Sequence, residues 1–150
     1  MEKLILASGS PRRTQLLGDA SVAHDVQVSE YEEVNPAGLS PADTALEHAR
    51  GKARDVMARN AGRWVLGADT LVAYDGILYG KPRTPSLAYA HLSDLSGKTH
   101  EVVTALCLIG PDEKERTAVT STRVTFADMS HEEILAYCAS EEPMDKAGAY

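Results

Sequence analysis

A nearly continuous apolar segment from Trp64 to Tyr74 constrains the fold of this chain more than any other feature of its sequence. The segment reads Trp-Val-Leu-Gly-Ala-Asp-Thr-Leu-Val-Ala-Tyr, a pattern typical of a strand that is covered on both faces. Asp75-Gly76 then predicts a tight turn, and Ile77-Leu78-Tyr79 predicts a strand that returns beside the first. The segment therefore predicts a sheet with other elements packed against both of its faces.

The remaining elements alternate between helix and strand. Proline just inside a helix start and glycine just past its end mark several of the boundaries, and Ser130-His131-Glu132-Glu133 has the spacing of a capping box. The sum is an α/β or α+β fold with a mixed β-sheet flanked by helices, forming one domain over residues 1–150. The further predicted strands are Leu4–Ala7, Val22–Tyr31, Glu101–Ile109 and Thr117–Phe126. The predicted helices run from Pro11 to Leu17, from Ser40-Pro41 to Gly62, from Thr84-Pro85 to Gly97 and from Ser130 to Ser140. The acidic segment from Glu30 to Gly38 is predicted to be a loop.

Charge and cysteine content exclude several classes of protein. The net charge of −7 argues against broad binding to nucleic acid or to an acidic membrane surface. No apolar run reaches the length that spans a bilayer, and Met1 leads directly into a strand pattern without a signal peptide. Cys107 and Cys138 are isolated and lack the spacing of metal ligands, so we expect a reduced, cytoplasmic chain.

The segment Ser8-Gly9-Ser10-Pro11-Arg12-Arg13 predicts an anion-binding corner. It joins the first strand to a helix, and the first turn of a helix presents unpaired N–H groups and the positive end of the helix dipole. Two hydroxyl groups, two arginines and a glycine that permits close approach would complete a phosphate cradle. Ser10 is expected to be the N-cap.

Asp69 interrupts the apolar segment, although aspartate is depleted in strands and is seldom buried without partners. The pattern is compatible with a buried structural acceptor or with a functional base. In a regular strand Asp69 and Thr70 project to opposite faces, and both could line one site only at a strand end or at a bulge beside Gly67.

Other charged residues leave two interpretations open. On a helical wheel of roughly 100° per residue, Lys52 falls about 20° outside the apolar stripe of its helix. It is either a lysine whose stem covers apolar surface or a functional cation. Lys81, between Gly80 and Pro82, is either a solvated loop residue or a ligand-binding cation. Glu32 and Glu33 are either solvated or able to help hold a divalent ion on phosphates. The five histidines form no i, i+4 pair, so zinc is not expected.

Six segments taken together resemble the Maf family of nucleoside triphosphate pyrophosphatases, also described as septum-formation inhibitor proteins. They follow the order of that family and extend over the whole chain. The segments are Leu4-Ile5-Leu6-Ala7-Ser8-Gly9-Ser10-Pro11-Arg12-Arg13, Ala49-Arg50-Gly51-Lys52-Ala53, Gly67-Ala68-Asp69-Thr70, Gly80-Lys81-Pro82, Leu95-Ser96-Gly97-Lys98-Thr99-His100-Glu101-Val102 and Glu142-Pro143-Met144-Asp145-Lys146-Ala147-Gly148-Ala149-Tyr150.

The resemblance implies a Maf/ITPase-like fold and hydrolysis of a nucleoside triphosphate to the monophosphate and pyrophosphate, with Mg²⁺ or Mn²⁺ as cofactor. It implies that Asp69 accepts the proton of the attacking water and that Glu33 acts near the metal. It further implies that the triphosphate is bound by the positions that match here as Ser10, Arg13, Lys52 and Lys81.

Arg12 and Thr70 resemble the subfamily that acts on dTTP and UTP, whereas the sister subfamily acting on 7-methyl-GTP has an aromatic residue and a glutamine there. A nucleotide-binding regulator of septum formation with little hydrolysis is the alternative. Gly51 stands where many members have glutamate. In the family, the chain continues after the position of Tyr150 into a Gly-Ile-Gln-Gly segment and further strands. We therefore expect a sheet that lacks the C-terminal strands of the family. Its strand edges would be exposed and would favour self-association, and a homodimer is one possible form.

Overall fold

The structure is a computed structural model of the chain, and it describes residues 2–140 and 142–150. These residues form two compact units, each assembled from two stretches of chain. The first unit contains the residues up to Asp69 together with Thr104–Thr120, and the second contains Thr70–Val103 and Ser121–Tyr150. The single domain over residues 1–150 stays a prediction.

A six-stranded mixed sheet confirms the predicted fold class. The strands are β1 (Leu4–Leu6), β2 (His24–Val26), β3 (Val65–Tyr74), β4 (Ile77–Tyr79), β5 (Thr99–Ile109) and β6 (Glu115–Thr125). Their order is β2-β1-β3-β5-β6, with β4 paired to β3 off this path. The pairing of β1 with β2 and with β3 is parallel, Ile5 lying opposite both Asp25 and Val65, whereas β3 and β4 are antiparallel.

Four helices accompany the sheet, and proline opens three of them. They are α1 (Pro11–Asp19), α2 (Pro41–Met57), α3 (Pro85–Leu95) and α4 (His131–Ala139), followed by two short 3₁₀ segments, Glu142–Asp145 and Ala147–Ala149. The side chains of Ser40, Thr84 and Ser130 accept hydrogen bonds from the backbone N–H groups of the first turns of α2, α3 and α4. None of the helices in the described residues is both long and apolar enough to cross a membrane.

Two predicted boundaries were wrong. Helix α2 ends at Met57 rather than near Gly62, because the amide of Asn60 donates to the carbonyl of Val56 and the chain turns there. Gly62 instead has φ +84° in the turn before β3. The strand predicted over Val22–Tyr31 is limited to His24–Val26, since only these residues pair with β1.

The first unit buries the apolar face of α2 together with the parallel strands. The residues Ala45, Ala49, Ala53, Val56 and Val65 are all inaccessible to solvent.

Strand β6 is the last strand in the order of the sheet, and it is exposed along nearly its whole length, as an edge strand is. The expected exposed edge is therefore present, and self-association stays a prediction.

Candidate active site

Asp69 is buried in β3, and both of its carboxylate oxygens are hydrogen-bonded. Only 4% of the residue is exposed. The ammonium group of Lys52 donates to Oδ1 over 2.9 Å, and Nδ1 of His48 lies 3.0 Å from Oδ2. A buried carboxylate is stable only when it is paired and hydrogen-bonded, and here two side chains from α2 meet that requirement.

The close contact of β3 with α2 explains how these groups meet. A β-carbon at Gly67 would lie 2.3 Å from the carbonyl oxygen of Ala49 and 2.7 Å from the backbone nitrogen of Ala53. Only glycine permits that approach. Residues 48 and 52 lie one turn apart on the same face of α2, so the contact that Gly67 allows sets both beside Asp69.

Lys52 joins two carboxylates. Its ammonium lies 2.7 Å from Glu33 Oε1 and 2.9 Å from Asp69 Oδ1, and its side chain is 15% exposed. It also donates to the carbonyl of Ala68 over 3.4 Å. Lys52 therefore directs its charge towards these carboxylates, and its functional role stays a prediction.

The corner after β1 lies beside the same carboxylate. Nη1 of Arg13 donates to Oγ of Ser8 over 2.8 Å and to the carbonyl of Ala68 over 3.2 Å. Burial lowers the pKa of the Arg13 guanidinium, which the nearby charge of Asp69 opposes. Arg13 is thus a cation at the edge of the site, held by a buried serine.

Ser10 and Arg12 flank this arginine at the start of α1. Ser10 is the N-cap as predicted, but its hydroxyl group makes no capping hydrogen bond to the first turn of α1. Arg12 is exposed on the first turn of the helix. Both positions are compatible with contact to a ligand at the helix start, and their roles stay predictions.

The sequence did not identify His48, which the structure places against Asp69. Its side chain is 1% exposed. Nε2 lies 2.8 Å from the carbonyl oxygen of Val34, in the segment that carries Glu33. Two signals in the sequence could have found it: a histidine within the apolar stripe of α2, and its i, i+4 spacing from Lys52.

Tyr31 occupies the space that a side chain at position 51 would need. A β-carbon on Gly51 would come within 2.2 Å of the Tyr31 ring. The pKa of the Tyr31 phenol is raised, by burial first and then by Glu47, Glu33 and Asp69. The absence of a side chain at Gly51 thus leaves room for an aromatic ring near Glu33 and Asp69.

The donor set fits a hard divalent cation. One ligand atom from each of Glu33, His48 and Asp69 lies within 4.8 Å of the others. Both ring nitrogens of His48 already face protein oxygens, so the two carboxylates are the groups that remain to hold a metal. Mg²⁺ is commonly held by one or two carboxylates together with waters and substrate phosphates.

Two further predicted site residues belong to the second unit. Thr70 is the half-buried neighbour of Asp69 along β3, which continues without interruption through Gly67. Consecutive side chains of a strand project to opposite faces. Lys81 is exposed in the segment between β4 and α3. Their predicted roles in specificity and phosphate binding are untested.

A family model described as Maf-like protein matches residues 3–150. The chain is 49% identical over 150 residues to a dTTP/UTP pyrophosphatase of Bacillus cereus strain AH187, an alignment that covers all of this chain and 78% of the relative. A dTTP/UTP pyrophosphatase of Bacillus anthracis has the same identity and coverage.

Two solved structures share the fold. A nucleoside-triphosphatase, or dITP/XTP pyrophosphatase, of Mycobacterium abscessus superimposes with a TM-score of 0.52 at 24% identity, covering 85% of this chain and 76% of that one. A HAM1 protein from Coxiella burnetii gives a TM-score of 0.52 at 13% identity, covering 99% and 86%. At these identities the likeness concerns the fold alone.

Proposed function

The chain belongs to the Maf-like protein family, and from that premise we propose that it is a nucleoside triphosphate pyrophosphatase. It hydrolyses dTTP and UTP to the monophosphate and pyrophosphate. The observation that carries the proposal is the buried carboxylate of Asp69, surrounded by the cations of Lys52 and Arg13 beside a helix N-terminus. Hydrolysis of a polyphosphate requires both a proton acceptor and dense positive charge, and this cluster supplies both.

Asp69 acts as the general base. Its carboxylate takes a proton from water as the water oxygen bonds to the α-phosphorus and the bond to the bridging oxygen of the β-phosphate breaks. Pyrophosphate leaves with that oxygen. Since Oδ1 accepts from Lys52 in the structure, substrate binding draws the ammonium towards the phosphates and exposes this oxygen to water.

The triphosphate is bound by cations and hydroxyl groups around Asp69. Arg13 and Lys52 neutralise its charge, while Ser8, Ser10 and the first turn of α1 hold phosphate oxygens. Lys81 is proposed as a further phosphate-binding cation only because Gly80-Lys81-Pro82 matches a segment of the family. Positioning and charge stabilisation account for most of the catalysis of phosphoryl transfer. Buried and partly buried cations perform this function better than exposed ones because water screens them less.

Glu33 and Asp69 would hold the divalent cation, Mg²⁺ or Mn²⁺, beside the phosphates, and the ion would neutralise charge on the phosphate oxygens. In the free protein Lys52 lies between the same two carboxylates. Their negative charge thus has a partner before substrate arrives.

The pyrimidine preference follows the relatives, which are named dTTP/UTP pyrophosphatases at 49% identity. Arg12 selects the base. Thr70 matches the second specificity position of the family, but it projects from β3 to the face opposite Asp69.

The protein works in the cytoplasm on free nucleotides, as a monomer or homodimer, and binds neither nucleic acid nor membranes. Two free, buried cysteines and a net charge of −7 support this setting.

Pyrophosphate release from dTTP and UTP with Mg²⁺ or Mn²⁺ tests the proposal. Asp69→Asn is expected to lower kcat by roughly 10²-fold or more, whereas Asp112→Asn, which removes an exposed carboxylate elsewhere, leaves it unchanged. Equal rates for Asp69→Asn and the parent overturn the base assignment. Nucleotide binding without turnover would instead identify a regulator, and preference for 7-methyl-GTP over dTTP would overturn the pyrimidine specificity.

A further inference from the structure

His48 is held on both sides by oxygen atoms. Nε2 lies 2.8 Å from the carbonyl oxygen of Val34 and Nδ1 lies 3.0 Å from Oδ2 of Asp69. The residue lies on α2, and only 1% of its side chain is exposed. Its ring therefore links three parts of the first unit: the helix, strand β3 and the segment that follows Glu33.

Both ring nitrogens of His48 have an oxygen as partner. A carbonyl oxygen can only accept, so Nε2 donates to Val34. On the other side of the ring, Nδ1 is hydrogen-bonded to Oδ2 of Asp69. The ammonium of Lys52 takes the other oxygen, Oδ1, over 2.9 Å, and the Arg13 guanidinium donates to the adjacent Ala68 carbonyl. His48 is thus hydrogen-bonded on both sides within the interior.

The two oxygens of Asp69 consequently have different partners. Oδ2 is bound by a ring that is buried and tied to Val34 on its far side. Oδ1 is bound by Lys52, whose stem is flexible and whose ammonium is shared with the half-exposed Glu33. A lysine can follow an incoming phosphate, whereas the enclosed ring stays in place.

We propose that His48 is a positioning residue that fixes Oδ2 of Asp69 by a buried hydrogen bond, leaving Oδ1 as the oxygen that takes the proton from water. This inference rests on the proposed function. It assigns the orientation of the carboxylate to Oδ2 and the acceptance of the proton to Oδ1. Such a fixed second partner keeps a catalytic group in productive geometry.

Two other interpretations of the same residue predict different behaviour. If His48 only filled space in the core, an apolar side chain of similar size would replace it without loss of turnover. If it were a metal ligand, one ring nitrogen would have to be directed towards the ion. Neither agrees with a ring whose two nitrogens are both hydrogen-bonded to protein oxygens.

The contact between the ring and Asp69 is tested without any activity measurement. In a ¹⁵N-labelled sample of the parent chain at neutral pH, the ring nitrogens of His48 are identified by the signals that disappear in His48→Asn. We expect Asp69→Asn to shift the Nδ1 signal, because Nδ1 loses its carboxylate partner. An Nδ1 signal that Asp69→Asn leaves unchanged would overturn the proposal, whether or not the protein hydrolyses triphosphates.

Three substitutions then separate the two hydrogen bonds. The amide nitrogen of asparagine can replace Nδ1 and keep the bond to Asp69, glutamine can replace Nε2 and keep the bond to Val34, and leucine keeps neither. We expect His48→Asn to retain kcat within about tenfold of the parent, and His48→Gln and His48→Leu to lose roughly 10²-fold, with KM nearly unchanged in all three. A His48→Gln variant as active as His48→Asn would overturn the proposal.

A matched control separates positioning from stability. His100 is buried to 97% as well, and its Nε2 lies 2.6 Å from the hydroxyl of Tyr150 in the second unit. His100→Asn is expected to reduce stability while kcat stays within about threefold. If no chain, the parent included, releases pyrophosphate, the proposed function fails, whereas the ring spectrum still decides the assignment of His48.

Discussion

The carbonyl oxygen of Ala49 lies so close to Gly67 that a β-carbon at position 67 would come within 2.3 Å of it. The oxygen belongs to the backbone of α2, and the position of a β-carbon is fixed by the backbone of β3, so neither atom could rotate away. The contact sets the distance between α2 and β3, and therefore the distances from Asp69 to Lys52 and His48. A glycine that touches no ligand thus controls the geometry of the candidate site.

Gly67→Ala is therefore expected to lower the free energy of unfolding by about 3 kcal/mol, the upper part of the range for overpacking a core. Urea unfolding followed by circular dichroism measures this loss. Gly18→Ala is the matched control because nothing lies within 4 Å of its β-carbon in helix α1. The control is expected to gain up to about 1 kcal/mol from helix propensity. Equal stabilities for the two variants would contradict the contact.

Lys52→Met tests whether the ammonium and a metal ion compete for Glu33 and Asp69. The variant leaves two carboxylates facing each other without the shared cation. Without metal it is expected to unfold at a lower temperature than the parent, losing about 1–3 kcal/mol because the pair is only partly buried. With Mn²⁺ its melting temperature is expected to rise more than that of the parent, since a ligand that binds only the folded state stabilises it.

Thermal unfolding with and without Mn²⁺ measures both effects in the absence of nucleotide. A control variant, Lys3→Met, removes an exposed lysine that pairs with Asp25, and it should respond to Mn²⁺ as the parent does. A smaller Mn²⁺ effect in Lys52→Met than in the parent would place the metal on other groups.

The elements of this fold could be predicted from sequence because their signals are local. The apolar segment of β3, the Asp75-Gly76 turn and the proline-led helices each depend on a few neighbouring residues. The end of α2 could not, because the Asn60 amide that bonds to Val56 competes with the helix. The length of β2 was also unpredictable, since it depends on which residues find partners on β1.

The residues of the candidate site also differ in how far the sequence alone could point to them. Asp69 could be singled out because a carboxylate within an apolar strand is conspicuous, whereas the position of Lys52 beside an apolar stripe left its role open and only the family resemblance implied phosphate binding. His48 was missed, since its importance depends on oxygens of Asp69 and Val34 that are distant in sequence. The same limitation applied to Gly51, whose meaning depends on the ring of Tyr31.

Gly51 and Tyr31 are expected to be energetically coupled. Alanine normally stabilises a helix by about 1 kcal/mol relative to glycine, but in this chain the added β-carbon would meet the Tyr31 ring at 2.2 Å. Gly51→Ala should therefore stabilise the protein only when Tyr31→Ala is also present. Urea unfolding of both single variants and the double variant gives the coupling, expected at about 1–2 kcal/mol. Additive effects would show that the ring moves aside freely.

Cys107 provides a prediction about alkaline pH. Burial, followed by the charge of Glu115, raises the pKa of its thiol from 9.0 to about 11, against the opposing effect of Arg50 and Arg54. The protonated thiol is thus favoured in the folded state. Its contribution to the free energy of unfolding is complete below pH 9.0 and is lost as the pH rises to about 11.

The stability difference between the parent and Cys107→Ala should accordingly shrink over that interval, as measured by urea unfolding at successive pH values. The comparison cancels the titration of tyrosines and lysines that both proteins share. The parent should also resist thiol reagents until it is unfolded, because Cys107 and Cys138 are both buried and burial raises the pKa of Cys138 too. A constant stability difference up to pH 11 would mean that the Cys107 thiol ionises as readily in the folded chain as in the unfolded one.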